Sequence, residues 1–208
     1  MAISQNIFEK FNHYLDGVDS VLELGNQTFV NECVTKYNTI LNGYNHTTPV
    51  KKYVESKNKK HVSIDITGLD ESLPFDLNSD TILDIGEFDL VTNFGTTEHI
   101  EPNQFEPFFH IHNLCKVGGI MIHEVPVFNH WPGHCRYYYD ENFFLYLSKK
   151  NNYDILEMER INYGSVGDLI FVALKKTNPS FLSEKKELEL NIKISETEIN
   201  IPQYWIKK

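Results

Sequence analysis

Val21-Leu22-Glu23-Leu24-Gly25-Asn26-Gln27-Thr28-Phe29 opens as an apolar run broken by one carboxylate and then reaches the only glycine of the segment. An apolar run that stops abruptly at a turn reads as a buried parallel strand. Glycine at the stop lets the backbone approach a ligand closely, because no side chain intervenes. In open α/β sheets, ligands sit at such turns, at the carboxyl ends of strands near the switch point. Many buried strands end in glycine, so the weight of this stretch comes from what is spaced around it.

Upstream, Ile7, Phe8, Phe11, Tyr14 and Leu15 recur at helical spacing, with Ser4 as N-cap and Gly17 as stop. Downstream, the pattern predicts a helix around Val30 to Tyr37, a second starting at Pro49, and an inserted segment beside the pocket. His61 to Ile66 reads as the second strand, closed by Asp65. A carboxylate there is placed either to accept ribose hydroxyls or to cap its own loop, and position alone leaves both open. Leu73 to Asn78 reads as a short third strand, with Asp76 set to receive an adenine amino group and Leu77 to pack on the ring. Phe88 to Phe94 is the fourth strand and runs into Gly95-Thr96-Thr97-Glu98-His99. A helix follows from Pro102 and ends at Gly118-Gly119, with His112 in its apolar stripe as a hydrogen-bonded core histidine. Ile120 to Val125 is the fifth strand. Tyr153 to Ile161 and Asp168 to Leu174 are the last two, joined through Gly164 and Gly167. That connection is too short for a parallel return, so the last strand is expected antiparallel.

The expected fold is therefore α/β: a seven-stranded, mostly parallel sheet with an antiparallel last strand and helices on both faces. The chain of 208 residues suits one such domain over residues 1–176, with 177–208 as a C-terminal extension. In the extension, Leu188, Leu190, Ile192 and Ile194 alternate as in a half-buried strand, at an edge or at a homodimer contact. A net charge of −10 argues against wrapping nucleic acid or an anionic membrane. No run is long enough to span a bilayer, and Met1 to Lys10 lacks a signal-peptide core. Three cysteines without paired spacing read as reduced thiols, which makes a cytoplasmic location the expectation.

Taken in order, Val21-Leu22-Glu23-Leu24-Gly25, Val62-Ser63-Ile64-Asp65, Phe88-Asp89-Leu90-Val91 with Glu98-His99, and Leu114-Cys115-Lys116-Val117-Gly118-Gly119 resemble the successive motifs of class I S-adenosylmethionine-dependent methyltransferases. The resemblance covers roughly residues 8–175. It is nearest to bacterial-type small-molecule and sugar enzymes, where a His-Gly-aromatic loop follows the fifth strand, much like Pro132-Gly133-His134-Cys135-Arg136-Tyr137-Tyr138-Tyr139 here. The first turn departs from the usual Gly-x-Gly-x-Gly. The resemblance implies S-adenosyl-L-methionine as cofactor, with Gly25 and Gln27 beside its methionine part and Asp65 on the ribose. It further implies Asp76 and Leu77 at the adenine and Asn93 with Gly95 beneath the sulfonium, Glu23 and Ile66 completing the cofactor set. A dinucleotide is disfavoured, since Asn26, Gln27 and Thr28 put side chains where its pyrophosphate would lie.

Methyl transfer to a hydroxyl needs an aligned acceptor and a base near neutral pKa. Six of the nine histidines fall between His99 and His134. His134 and His130 lead as catalytic candidates, with His99 and Glu98 behind them. Trp131, Arg136 and Tyr137 are the candidate substrate contacts, and hydrogen-bonding or contact roles weigh equally for the histidines. No metal site is expected. His130 and His134 have chelating i, i+4 spacing, but Pro132 and Gly133 disfavour a helix, leaving an ion shared by loop residues as the minority reading. The expected function is methyl transfer to a small-molecule acceptor, preferably a hydroxyl of a sugar or sugar nucleotide. The alternative is a catalytically silent methyltransferase-like binding module.

Overall fold

The computed structural model describes residues 2–195. The chain opens with a two-residue strand, β1 (Ala2–Ile3), and helix α1 (Gln5–Asp16), whose Ile7, Phe8, Phe11 and Leu15 are buried between ends at Ser4 and Gly17. β2 (Ser20–Leu24) is buried at every position. The chain then turns at Gly25 into β3 (Thr28–Phe29), which pairs with β1, and continues through α2 (Asn31–Lys36) and α3 (Val50–Ser56). β4 (Lys60–Ile64), β5 (Phe88–Phe94), α4 (Phe105–Leu114) and β6 (Cys115–Pro126) complete the parallel half. A short β7 (Tyr137–Tyr138) and α5 (Glu141–Asn151) lead into the hairpin of β8 (Asp154–Asn162) and β9 (Asp168–Lys175). Helix α6 (Lys185–Leu190) and β10 (Lys193–Ile194), the latter antiparallel to β7, end the described chain.

The central sheet has the order β4-β2-β5-β6-β9-β8. β2 pairs parallel with β4 and β5, and β5 with β6, whereas β9 runs antiparallel to β6 and β8. The mostly parallel sheet with an antiparallel final strand thus stands as the pattern indicated. Apart from the edge strand β8, which has no buried residue, its strands bury both faces, alternating residue by residue. Leu22, Leu24, Val91, Met121, Val172 and Leu174 pack towards α4 and α5. Val21, Leu90, Phe94, Ile122, Phe171 and Ala173 pack towards α1 and α3. Cys33, Cys115 and Cys135 are buried free thiols. No helix among the described residues is long and apolar enough to cross a membrane.

Four expectations are corrected. The central sheet has six strands, not seven, because Leu73 to Asn78 does not form one. Leu73 makes a single bridge to Ile64, through hydrogen bonds with Ser63 and Asp65. Pro74 then has no N–H to donate, and the Asp76 carboxylate accepts from the Asn78 amide at 2.9 Å, turning the chain away from the ladder. The second strand accordingly ends at Ile64, and Gly118 and Gly119 lie within β6, exchanging hydrogen bonds with Lys176 at the end of β9. The alternating tail is also not one strand. Leu188 and Ile192 lie four residues apart and are buried on the α4–α5 core, whereas Leu190 is 74% exposed, so the apolar spacing is that of a helical turn. Only Lys193–Ile194 is extended. Residues 196–208, where part of the homodimer contact was expected, lie outside the described residues.

Candidate active site

The carboxyl edge of the sheet is assembled from the loops after β2, β4, β5 and β6. Gly25 has φ +79°, and a Cβ there would lie 2.7 Å from Gln27 Nε2 and 2.8 Å from Thr96 Oγ1. Only glycine fits the turn. Beneath it, Glu23 accepts from the Gln27 amide at 2.7 Å and lies 3.3 Å from His61 Nε2, so its carboxylate holds the turn together. The Gln27 side chain is buried over Gly25, with its Oε1 lacking a hydrogen-bond partner among the described residues. Asp65 caps the neighbouring loop, accepting from Thr67 N at 2.8 Å and from Asn26 N at 3.1 Å. Of the two roles open to it in the sequence, the geometry fills the capping one. Ile66 beside it is 74% exposed. Asp76 is exposed, with its carboxylate engaged in its own turn, and Leu77 is buried in the core.

After β5 the chain makes a tight turn at Gly95 (φ +68°), whose amide donates to Glu124 O at 2.8 Å. Asn93 ties that turn to β6. Its Oδ1 accepts from Thr96 N and Thr97 N, and its Nδ2 donates to Thr97 Oγ1 at 2.9 Å and to His123 Nδ1 at 3.1 Å. Gln104 donates to Thr97 O and Ile100 O, both at 2.8 Å, and accepts from the Tyr139 hydroxyl. Clamped on three sides, the single helical turn Thr97–His99 presents Glu98 and His99 as a rigid pair.

Glu98 is 1% exposed, and no other described residue hydrogen-bonds either carboxylate oxygen. Burial pushes its pKa up to about 8. Burial, reinforced by the neighbouring His134, brings His99 down to about 3. The His99 Nε2 lies 3.7 Å from Glu98 Oε1, and its ring meets that of His134 edge-on at 4.9 Å. Glu98, His99 and His134 therefore converge, their ligating atoms all within 4.8 Å of one another. His134 itself is lowered by burial.

The loop after β6 is pinned to the β8–β9 hairpin. Trp131 N donates to Val166 O at 2.9 Å, and His130 Nδ1 accepts from Asp168 N at 2.8 Å. A Cβ at Gly167 (φ +106°) would strike the His130 ring. His130 thus fastens the hairpin and is not among the candidates whose ligating atoms converge. The Trp131 ring lies 5.5 Å from that of His134 and 5.9 Å from that of Tyr163. Arg136 donates to Ser195 O, and Tyr137 is buried with its hydroxyl on Pro102 O. Sequence reasoning did not single out Gln104, Tyr139 or Tyr163. The Tyr163 hydroxyl donates to Glu124, itself pushed up to about 7 by burial, and meets Ser4 Oγ at 2.6 Å. These partners lie 35 to 159 residues apart in the chain, a distance over which local patterns carry no signal.

The sheet order and flanking helices define an α/β fold around a six-stranded, mostly parallel sheet. They match Burkholderia thailandensis 1,6-didemethyltoxoflavin-N1-methyltransferase, solved with 1,6-didemethyltoxoflavin and S-adenosylhomocysteine bound, at a TM-score of 0.52. Identity is 14%, over 84% of this chain and 76% of that one. N-methyltransferase NodS from Bradyrhizobium japonicum WM9, in complex with S-adenosylhomocysteine, aligns at a TM-score of 0.44 and 11% identity, over 85% of this chain and 87% of that one. No protein-family model and no curated protein matches the sequence.

Proposed function

We propose that the chain transfers the methyl group of S-adenosylmethionine to a small polar acceptor, with a hydroxyl of a sugar or sugar nucleotide as the acceptor class. The observation that carries this reading is a gathering of buried, unpartnered polar atoms along the carboxyl edge. Gln27 Oε1, both Glu98 carboxylate oxygens and Trp131 Nε1 lack hydrogen-bond partners among the described residues. Buried groups of this kind are few in native proteins and each calls for an explanation. A polar ligand lying along the edge supplies one.

The residues fit the cofactor. The Gln27 side chain fills the space over Gly25, and its Oε1 is an acceptor for an ammonium such as that of the methionine part. Ile66 offers an exposed apolar face beside Asp65 for a purine ring. The cofactor supplies an electrophilic methyl on a sulfonium. What remains for the protein is to align the acceptor in line and to exclude water. Trp131 gives the acceptor side a flat aromatic face, and the proton lost by the acceptor hydroxyl leaves towards Glu98, His99 and His134. The silent-module reading draws on the Gln27 side chain standing over Gly25 and on the commitment of Asp65 to its loop. Radiolabelled S-adenosylmethionine incubated with a panel of sugars and sugar nucleotides tests the choice. Label transfer to one acceptor is the expected result; cofactor binding without transfer to any hydroxyl or amine supports the silent module.

A further inference from the structure

We propose that Glu98, His99 and His134 form a binding site for one divalent transition-metal ion. The three ligating atoms already lie within 4.8 Å of one another, with Glu98 Oε1 and His99 Nε2 at 3.7 Å. Around an ion that binds nitrogen at about 2.0–2.1 Å, tetrahedral ligands sit roughly 3.3–3.5 Å apart. Side-chain movements of about 1 Å therefore complete the set.

The second, independent observation is the Glu98 carboxylate. It is fully enclosed, points at the two imidazoles, and receives no hydrogen bond from any other described residue. A carboxylate taken out of water without a partner is costly, and buried charges are found paired or on metals. The turn that carries it is held by Asn93, Gln104 and Tyr139, so the first two ligands are preorganised by residues outside the set. Both histidines are only partly buried, which leaves an open side for a further ligand. Three protein ligands with one open position is the arrangement of catalytic rather than structural zinc sites. Two imidazoles and one carboxylate favour zinc, cobalt or iron(II) over magnesium or calcium, which prefer oxygen ligands.

Metal binding at this site does not require the methyltransferase reading. Its role does: an acceptor hydroxyl on the open position is polarised by the ion and loses its proton more readily, so no histidine has to act as free base.

The test is a titration of chelator-treated protein with Co²⁺, followed by visible absorption and calorimetry, without methyl donor or acceptor. One ion per chain is expected, with the d–d bands of a four- or five-coordinate nitrogen–oxygen site and displacement by Zn²⁺. His134→Ala and Glu98→Gln should each lower affinity at least about tenfold, with circular dichroism unchanged. Glu98→Gln keeps the side-chain shape while removing a buried acid, so it folds even if the histidine variant does not. Absence of saturable binding overturns the proposal. So does wild-type affinity in both variants, which would assign the ion to exposed histidines such as His13 and His46. S-adenosylhomocysteine titration of the same samples separates the two readings. Cofactor binding without Co²⁺ binding removes only the metal site, and the converse removes only the methyltransferase.

Discussion

The two ends of α4 enclose two histidine neighbourhoods that solve burial in opposite ways. At the C-terminal end, His112 is satisfied on both sides, by the Tyr153 hydroxyl at 2.6 Å and by Pro179 O at 3.0 Å. The carbonyl accepts from Nε2, so the tyrosine hydroxyl donates to Nδ1 and the ring is neutral; burial brings its pKa down to about 4. Lys176, equally enclosed, donates to His112 O and Cys115 O and caps the helix end. At the N-terminal end, Glu98 is as deeply buried but meets no hydrogen-bond donor from another described residue. The difference separates polar burial that serves the fold from polar burial for which we propose a ligand. A matched network stabilises; an unmatched one persists only because its surroundings over-determine it.

The comparison is broken most visibly at His134. His134→Ala should lower methyl-transfer turnover roughly 10²–10⁴-fold while leaving S-adenosylhomocysteine affinity and the melting temperature nearly unchanged. Unaltered turnover would remove His134 from the mechanism, and loss of fold would make it the counterpart of His112. At the other end of α4 the pattern reverses. Lys176→Met removes two charged hydrogen bonds from buried carbonyls, of which His112 O keeps its bond from Cys115 N, and should cost on the order of 2–3 kcal/mol in urea unfolding, with cofactor affinity unchanged.

A smaller effect belongs to Glu124, at the carboxyl end of β6. Its folded pKa, about 7, lies above the ordinary carboxyl value. The folded state therefore holds a proton that the unfolded state has released between those values. Stability contributed by this group is present below the unfolded pKa and is lost as pH rises towards 7, with a slope of up to about 1.4 kcal/mol per pH unit. Glu124→Gln should flatten that part of the unfolding profile between pH 5 and 7. Smaller again is Asp140, whose carboxylate caps α5 by accepting from Phe143 N at 3.0 Å. Asp140→Ala should cost about 1 kcal/mol in the same assay, without effect on turnover.

Much of the scaffold was legible because its signals are local. The buried run to Gly25, the helical spacing between Ser4 and Gly17, and the short Gly164 to Gly167 connection each act within a few residues. Leu73 to Asn78 misled because its apolar residues match a strand while Pro74 and the Asp76 turn end the ladder after one bridge. The tail misled because residues spaced by two also contain pairs spaced by four, and burial of Leu188 and Ile192 selects the helical pair. The candidate site was legible in kind, since Glu98, His99 and His134 all sit in loops at the open end of the sheet. Which of them meet was not, because packing decides it. His130 is drawn away by a backbone amide 38 residues further along, and the supports from Gln104 and Tyr139 arrive from distant segments.

The central claim, that the carboxyl edge between Gly25 and Asp65 binds S-adenosylmethionine, is tested most directly by calorimetry with S-adenosylhomocysteine on the wild type and on Asp65→Ala. The expected result is one site per chain in the wild type, weakened in the variant by on the order of 1.5–3 kcal/mol because the loop that lines the edge loses its charged cap on Asn26 N and Thr67 N. No measurable binding to the wild type, or equal affinity in the two proteins, would contradict it.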